Sequence, residues 1–203
     1  MIIKVCGLRD EENIRQLELL DIDWMGFIFH SESPRYAGRK LTYIPENKIK
    51  IGVFVDINPQ VIREITKENH LDAVQLHGTE PPWYCIKLKM DGFKVIKSFG
   101  IDPEGKIPNA QLNAYEGKCD YFLFDTKTPK HGGSGMKFNW KEIANYKGET
   151  PFILSGGISP EDVEDIKKID HPKFAGIDIN SRFEVSPGFK DIESIKSFIK
   201  EFR

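Results

Sequence analysis

Long apolar runs are missing from this chain: no stretch reaches the roughly 18 consecutive apolar residues of a membrane-spanning helix. The opening MIIKVCG also lacks a secretory leader pattern, so a soluble, cytoplasmic protein is expected. Cysteine is scarce. The three present, Cys6, Cys85 and Cys119, are odd in number and far apart, which argues against a disulfide framework and offers no zinc-like spacing. Neither sign of charge dominates. A net charge of −2 gives no general attraction to nucleic acid or to an anionic membrane, so any anionic ligand must be held by local charge. A G-x-G-x-x-G turn is absent after the first apolar run, which removes the usual signature of an open dinucleotide-binding sheet.

What the chain does have is alternation. Short runs rich in Val, Ile and Phe recur eight times, as IIKVC, WMGFIF, KIGVFV, AVQLH, KVIKSF, YFLFD, PFILSG and AGIDIN. Between most of them lie helical segments with start signals. Asn58-Pro59 opens one that puts Val61, Ile62 and Ile65 on one face, and Ser159-Pro160-Glu161-Asp162 combines an N-cap, a first-turn proline and a capping-box acid. Asp191 opens a last helix with a stripe of Ile192, Ile195, Phe198, Ile199 and Phe202. Strand alternating with helix demands a parallel sheet, and eight units favour closure. The predicted fold is therefore α/β, a single-domain (β/α)8 TIM barrel over residues 1–203, compact for that architecture. The second unit is the weak one: HSESPRYAGRKLTYIPEN has two prolines and little helical period, so its helix should be short or irregular.

Strand parity then sorts inside from outside, because successive side chains alternate faces. Lys4 and Cys6 turn into the barrel, as do Gln75 and His77 on the fourth strand and Asp178 and Asn180 on the eighth. Lys4 and Asp178 lie on the strands that meet at closure, so they are expected to pair. Cys6 and Asp125 each end a strand and therefore stand on the rim where such barrels do chemistry, a thiol and a carboxylate able to act as base and acid. His77 and Asp178 are candidates to contact a substrate. Gly156 and Gly157 in LSGGIS, with Asn180 and Ser181 in DINS, follow strands seven and eight, where barrel phosphate sites are frequently built. Arg35, after the second strand, can hold a carboxylate by two parallel hydrogen bonds. HGGSG at His131 to Gly135, with Lys127 and Lys130, reads either as a loop folding over a ligand or as a solvated turn.

In this order the segments KVCGL, SPRYAG, VQLHG, FDT, GGSG, LSGGI, DINS and SPGFKD closely resemble the phosphoribosylanthranilate isomerases of tryptophan biosynthesis, over residues 2 to 191. That resemblance implies a (β/α)8 barrel, without metal or organic cofactor, that converts N-(5-phosphoribosyl)anthranilate into an amino-deoxyribulose phosphate by an Amadori rearrangement. It places Cys6 as general base and Asp125 as general acid, with Arg35 on the anthranilate carboxylate and Gly156, Gly157 and Ser181 on phosphate. The partner implied is the small phosphosugar-anthranilate substrate, with monomer and homodimer both open. The chain departs from the pattern at Arg182 and Phe183, where relatives commonly carry glycine after the serine. Lys4 is expected to lower the Cys6 thiol modestly in the complex. Two alternatives stay open. One is a phosphate-binding lyase or synthase of indole metabolism, although it would normally need two carboxylates where the first strand offers a thiol. The other is a non-catalytic phosphosugar-binding barrel, which would have no need of an acid and base pair.

Overall fold

In a computed structural model that describes residues 1–127 and 137–203, eight parallel strands close into a barrel in the order β1 to β8. They are β1 (Ile2–Cys6), β2 (Trp24–Ile28), β3 (Ile49–Phe54), β4 (Ala73–Leu76), β5 (Lys94–Ile101), β6 (Tyr121–Thr126), β7 (Phe152–Leu154) and β8 (Phe174–Ile179). Closure is the pairing of β1 with β8, in a register that sets Lys4 opposite Asp178. The outward side chains, such as Ile3, Val5, Phe54, Phe122 and Ile177, join the core beneath the helices. The inward ones form a second, smaller core. Trp24, Ile51, Ala73, Ile96, Leu123 and Ile153 fill the barrel interior, with Trp24 edge-on to Tyr121 at 5.2 Å. With this apolar plug behind them, Gln75, Ser98, Asp125, Ser155 and Asp178 follow as polar inward groups nearer the strand ends, while β2 and β3 present Gly26 and Val53 there.

The crossover segments are uneven. α1 (Glu11–Glu18), α2 (Pro59–Glu68), α3 (Pro82–Met90) and α6 (Ile192–Phe202) are full helices, whereas α4 (Asn109–Asn113) and α5 (Val163–Lys167) are single turns. Asn58 and Asp191 cap α2 and α6 as their positions imply, accepting from Gln60 N and Ser194 N. Ser159 and Asp162 form the expected box, with Ser159 N donating to Asp162 Oδ2 at 2.7 Å. What they open is a 3₁₀ turn (Pro160–Asp162) leading into α5.

The second unit has no helix at all, short of the short or irregular helix its composition suggests. Side chains from neighbouring helices satisfy its backbone instead. Glu18 accepts from Glu46 N and Asn47 N at 2.7 and 2.8 Å, and Asn69 accepts from Leu41 N at 2.7 Å while donating to Arg39 O at 2.9 Å. An irregular chain fixed in this way holds Arg35 over the barrel mouth side of β2.

After β8 the chain makes a 3₁₀ turn (Ser181–Phe183) and a small antiparallel hairpin of β9 (Glu184–Ser186) and β10 (Phe189–Lys190) before α6. Phe183 anchors this insertion, fully buried against Phe198 with ring centroids 5.0 Å apart.

Candidate active site

The parallel topology puts every strand's C-terminal end on one rim, and the candidate residues follow it there. Cys6 is the last residue of β1, Asp125 the next-to-last of β6, His77 follows β4 and Asn180 follows β8. The thiol of Cys6 needs space from its neighbour: a Cβ at Gly26, its register partner on β2, would come 2.7 Å from Sγ. Only glycine leaves the sulfur that room.

Behind the thiol lies a buried charge pair. Lys4 Nζ stands 3.0 Å from Asp178 Oδ1, off the hydrogen-bonding line, with side chains 0% and 6% exposed. This is the pairing that strand parity implies. Burial works against the Lys4 ammonium, but Asp178 and then Cys6 outweigh it and hold its pKa above the ordinary lysine value. The modest depression expected of Cys6 belongs to the complex; in the free protein the thiol moves up. Burial pushes the thiol up, and the opposing pull of Lys4 does not cancel that cost in the free protein. Asp178 is also raised by burial, with Lys4 opposing, and it senses both Asp125 and His77. One electrostatic neighbourhood therefore contains Cys6, Lys4, Asp178, Asp125 and His77.

On the other wall a polar relay reaches Asp125. Gln75 Nε2 donates to Ser98 Oγ at 3.1 Å and stands 3.1 Å from His77 Nδ1. The other ring nitrogen, Nε2, lies 3.4 Å from Asp125 Oδ2, while Oδ1 accepts from Thr126 N at 2.8 Å. Gly156 closes in from β7: at a φ of +87°, a Cβ there would meet Thr126 Oγ1 and Asp125 Oδ1 at 2.4 and 2.9 Å. Glycine at 156 is thus required by the packing of the acid's strand, whatever else its N–H binds. Gly157 follows in the same left-handed region.

Two candidates are already engaged. Glu184 takes the Nε and Nη2 edge of Arg35, at 2.9 and 2.7 Å, leaving Nη1 with no partner among the described residues. A ligand carboxylate must therefore use the remaining edge of the fork. Asn180 Oδ1 accepts from Lys190 Nζ at 2.6 Å, which leaves its amide nitrogen as the group for an anion. Ser181 opens the turn after β8, and Arg182 is exposed. The segment His131 to Gly135 and Lys130 lie outside the described residues; Lys127 precedes them. Sequence reasoning assigned nothing to Glu184 or Lys190. Their signal was a carboxylate and a lysine flanking the turn-forming Pro187-Gly188, directly after a candidate phosphate loop.

Comparison with known proteins decides between the readings left open by the sequence. The family model for N-(5'-phosphoribosyl)anthranilate isomerase matches residues 3–201. This chain belongs to that family. The N-(5'-phosphoribosyl)anthranilate isomerase of Phocaeicola vulgatus is 46% identical over 203 residues, covering 100% of this chain and 98% of the relative. Among solved structures, the Thermotoga maritima phosphoribosyl anthranilate isomerase is 34% identical with a TM-score of 0.82, over 100% of this chain and 98% of that one. Another, in complex with reduced 1-(o-carboxyphenylamino)-1-deoxyribulose 5-phosphate, is 31% identical with a TM-score of 0.80 over the same shares. The family is a single-domain barrel like this one, and among the described residues no helix is long and apolar enough to cross a membrane.

Proposed function

We propose that the rim converts N-(5'-phosphoribosyl)anthranilate into 1-(2-carboxyphenylamino)-1-deoxyribulose 5-phosphate, with Asp125 as general acid and Cys6 as general base. The observation that carries this reading is their placement on β6 and β1 at one rim, with the charge of Lys4 behind the thiol. Asp125 gives a proton to the ribose ring oxygen through Oδ2 as the C1–O bond breaks, and the anthranilate nitrogen becomes an iminium. The iminium acidifies the C2–H. The Cys6 thiolate removes that proton, and the enolamine then gains a proton at C1 and loses one from the C2 hydroxyl to give the ketone. No step transfers an electron to an acceptor, and the sulfur makes no bond to substrate.

The remaining residues hold and orient. Arg35 takes the anthranilate carboxylate, while the backbone N–H groups of Gly156 and Gly157, the Asn180 amide and Ser181 take the phosphate. His77, held by Gln75, orients Asp125 and reaches toward the sugar, and Asp178 fixes Lys4 and the sugar hydroxyls. Three free, buried thiols suit a reducing, cytoplasmic setting. The test is to mix the purified protein with freshly generated phosphoribosylanthranilate and follow loss of its fluorescence together with appearance of the carboxyphenylamino ketose. Fluorescence loss with that product supports the reading; enzyme-dependent release of anthranilate, or no enzyme-dependent change, would overturn it.

A further inference from the structure

The hairpin after β8 carries two charges that the reaction scheme leaves unused. Both are withdrawn from water, the side chain of Glu184 being 4% exposed and that of Lys190 0%. Glu184 accepts from Lys190 Nζ at 2.7 Å and from Gly188 N at 3.0 Å, in addition to gripping Arg35. Lys190 is held along its whole length. Its backbone N–H donates to Asn13 Oδ1 at 2.7 Å and its carbonyl accepts from Asn13 Nδ2 at 2.9 Å, while its ammonium reaches Asn180 O and Oδ1 at 3.3 and 2.6 Å.

A buried ion cluster of this kind is seldom retained for stability, since apolar residues of similar volume often serve as well or better. Its position points to another use. Arg35 Cδ and Asn180 Oδ1 both lie against Gly7, the residue that follows Cys6. The cluster therefore borders the barrel mouth. Glu184 grips Arg35 through its Nε and Nη2 edge, and by itself it would cancel the guanidinium charge that an anionic ligand needs. Lys190 supplies a second cation to that carboxylate. With two cations to one carboxylate, one positive charge is left for a ligand; without Lys190 none is.

We propose that Lys190 is a positioning residue for the anthranilate carboxylate: it neutralises Glu184, which locks one edge of Arg35, and so leaves the charge of Arg35 to the substrate. This rests on the reading of Arg35 as the carboxylate's holder. The lock fixes which N–H groups of the guanidinium face the ligand, and Lys190 removes the repulsion that the lock would otherwise bring. The charged or titratable groups facing its ammonium are Glu184 from β9, Cys6 from β1 and Arg35 from the segment after β2; Asn13 and Asn180 are neutral. Burial brings the Lys190 pKa down to about 8, with Glu184 and Cys6 resisting and Arg35 adding to the fall. A lysine with that value is charged below pH 8 and loses its proton above it. Affinity for a carboxylate should fall over the same interval.

The experiment measures binding of two probes at pH 7 and pH 9: reduced 1-(o-carboxyphenylamino)-1-deoxyribulose 5-phosphate, and ribose 5-phosphate, which lacks the carboxylate. Wild type should weaken toward the first probe alone as pH rises. Lys190→Met should bind the first probe roughly tenfold less tightly at pH 7, lose clearly less affinity for ribose phosphate, for which only the Asn180 contact of the ammonium is removed, and lose the pH dependence. The charge-balanced double variant Lys190→Met with Glu184→Gln should recover most of the loss, which a merely structural role for Lys190 would not produce. Equal weakening toward both probes, no weakening, or no recovery in the double variant would overturn the proposal. If Lys190→Met does not fold, Lys190→Gln takes its place in the same comparison, and an affinity of that variant for the first probe equal to that of wild type rejects the proposal. Arg35→Ala separates the two ideas. Unchanged binding of the carboxylate probe there removes the reading of Arg35 and this proposal with it, whereas a loss there without one in Lys190→Met removes the proposal alone.

Discussion

Cys6 is a base whose surroundings oppose its ionisation. Burial raises the thiol and Lys4 draws it back only in part, so the fraction ready to accept a proton grows with pH. A raised pKa means that the thiolate forms only as pH climbs through that raised value. The ultraviolet thiolate absorbance of the free protein, taken as wild type minus Cys6→Ser, should therefore appear above the ordinary cysteine range. A thiolate signal that appears below that range would contradict the raised thiol. At this scale strand parity was enough to turn Lys4, Cys6, His77, Asp178 and Asn180 inward, because a two-residue period leaves no choice once the buried face is known. The state of Arg35 was not legible. Its partner Glu184 lies 149 positions away, and no local pattern couples a loop arginine to a hairpin carboxylate.

Elements, more than single residues, hold the rim still. Lys97 on β5 points out of the barrel yet is 2% exposed, with its ammonium on Gly78 O at 2.8 Å, Ser98 O at 3.1 Å and Glu80 Oε2 at 3.1 Å. Glu80 in turn accepts from Asp56 N at 2.9 Å and from Gly78 N. This pair clamps the β4 loop that follows His77. Lys97→Met strands the carboxylate and should lower stability by about 3 to 5 kcal/mol in urea unfolding, with part of the loss regained when Glu80→Gln is added. A change within about 0.5 kcal/mol would show that the clamp is dispensable. The hairpin gives a second test, by pH. Burial would raise the Glu184 carboxyl, but Arg35 and Lys190 outweigh it and hold its pKa below the usual value. A depressed carboxylate stabilises the fold above its unfolded pKa and ceases to do so as pH falls through the folded one. Wild type should accordingly lose more melting temperature between pH 5 and pH 3 than Glu184→Gln does; equal losses would contradict a stabilising Glu184 carboxylate. Helix starts were legible at Asn58 and Asp191, where a cap precedes an apolar stripe. The second crossover was not, since Glu18 and Asn69 do there what a helical ladder does elsewhere, and those contacts cross some 25 to 30 positions.

For the whole molecule, closure is what makes chemistry of scattered residues. The Lys4–Asp178 register joins the first strand to the last and sets a cation beneath Cys6, while β6 carries Asp125 to the same rim. Eight apolar runs made the barrel legible, and rim position made the acid and base legible; the depth at which Cys6 sits, and with it the direction of its pKa, required the packing of Gly26 and Lys4 around it. The proposed reaction depends on those two rim residues acting as acid and base. Its most direct test is the single-turnover rate of fluorescence loss from phosphoribosylanthranilate in Cys6→Ala and Asp125→Asn, measured beside wild type with binding of the reduced ketose analogue as the control. Each variant should bind the analogue within a few-fold of wild type and lose about two to four orders of magnitude in rate, as removal of a positioned acid or base does. Either variant keeping more than roughly a tenth of the wild-type rate would contradict the role given to its residue.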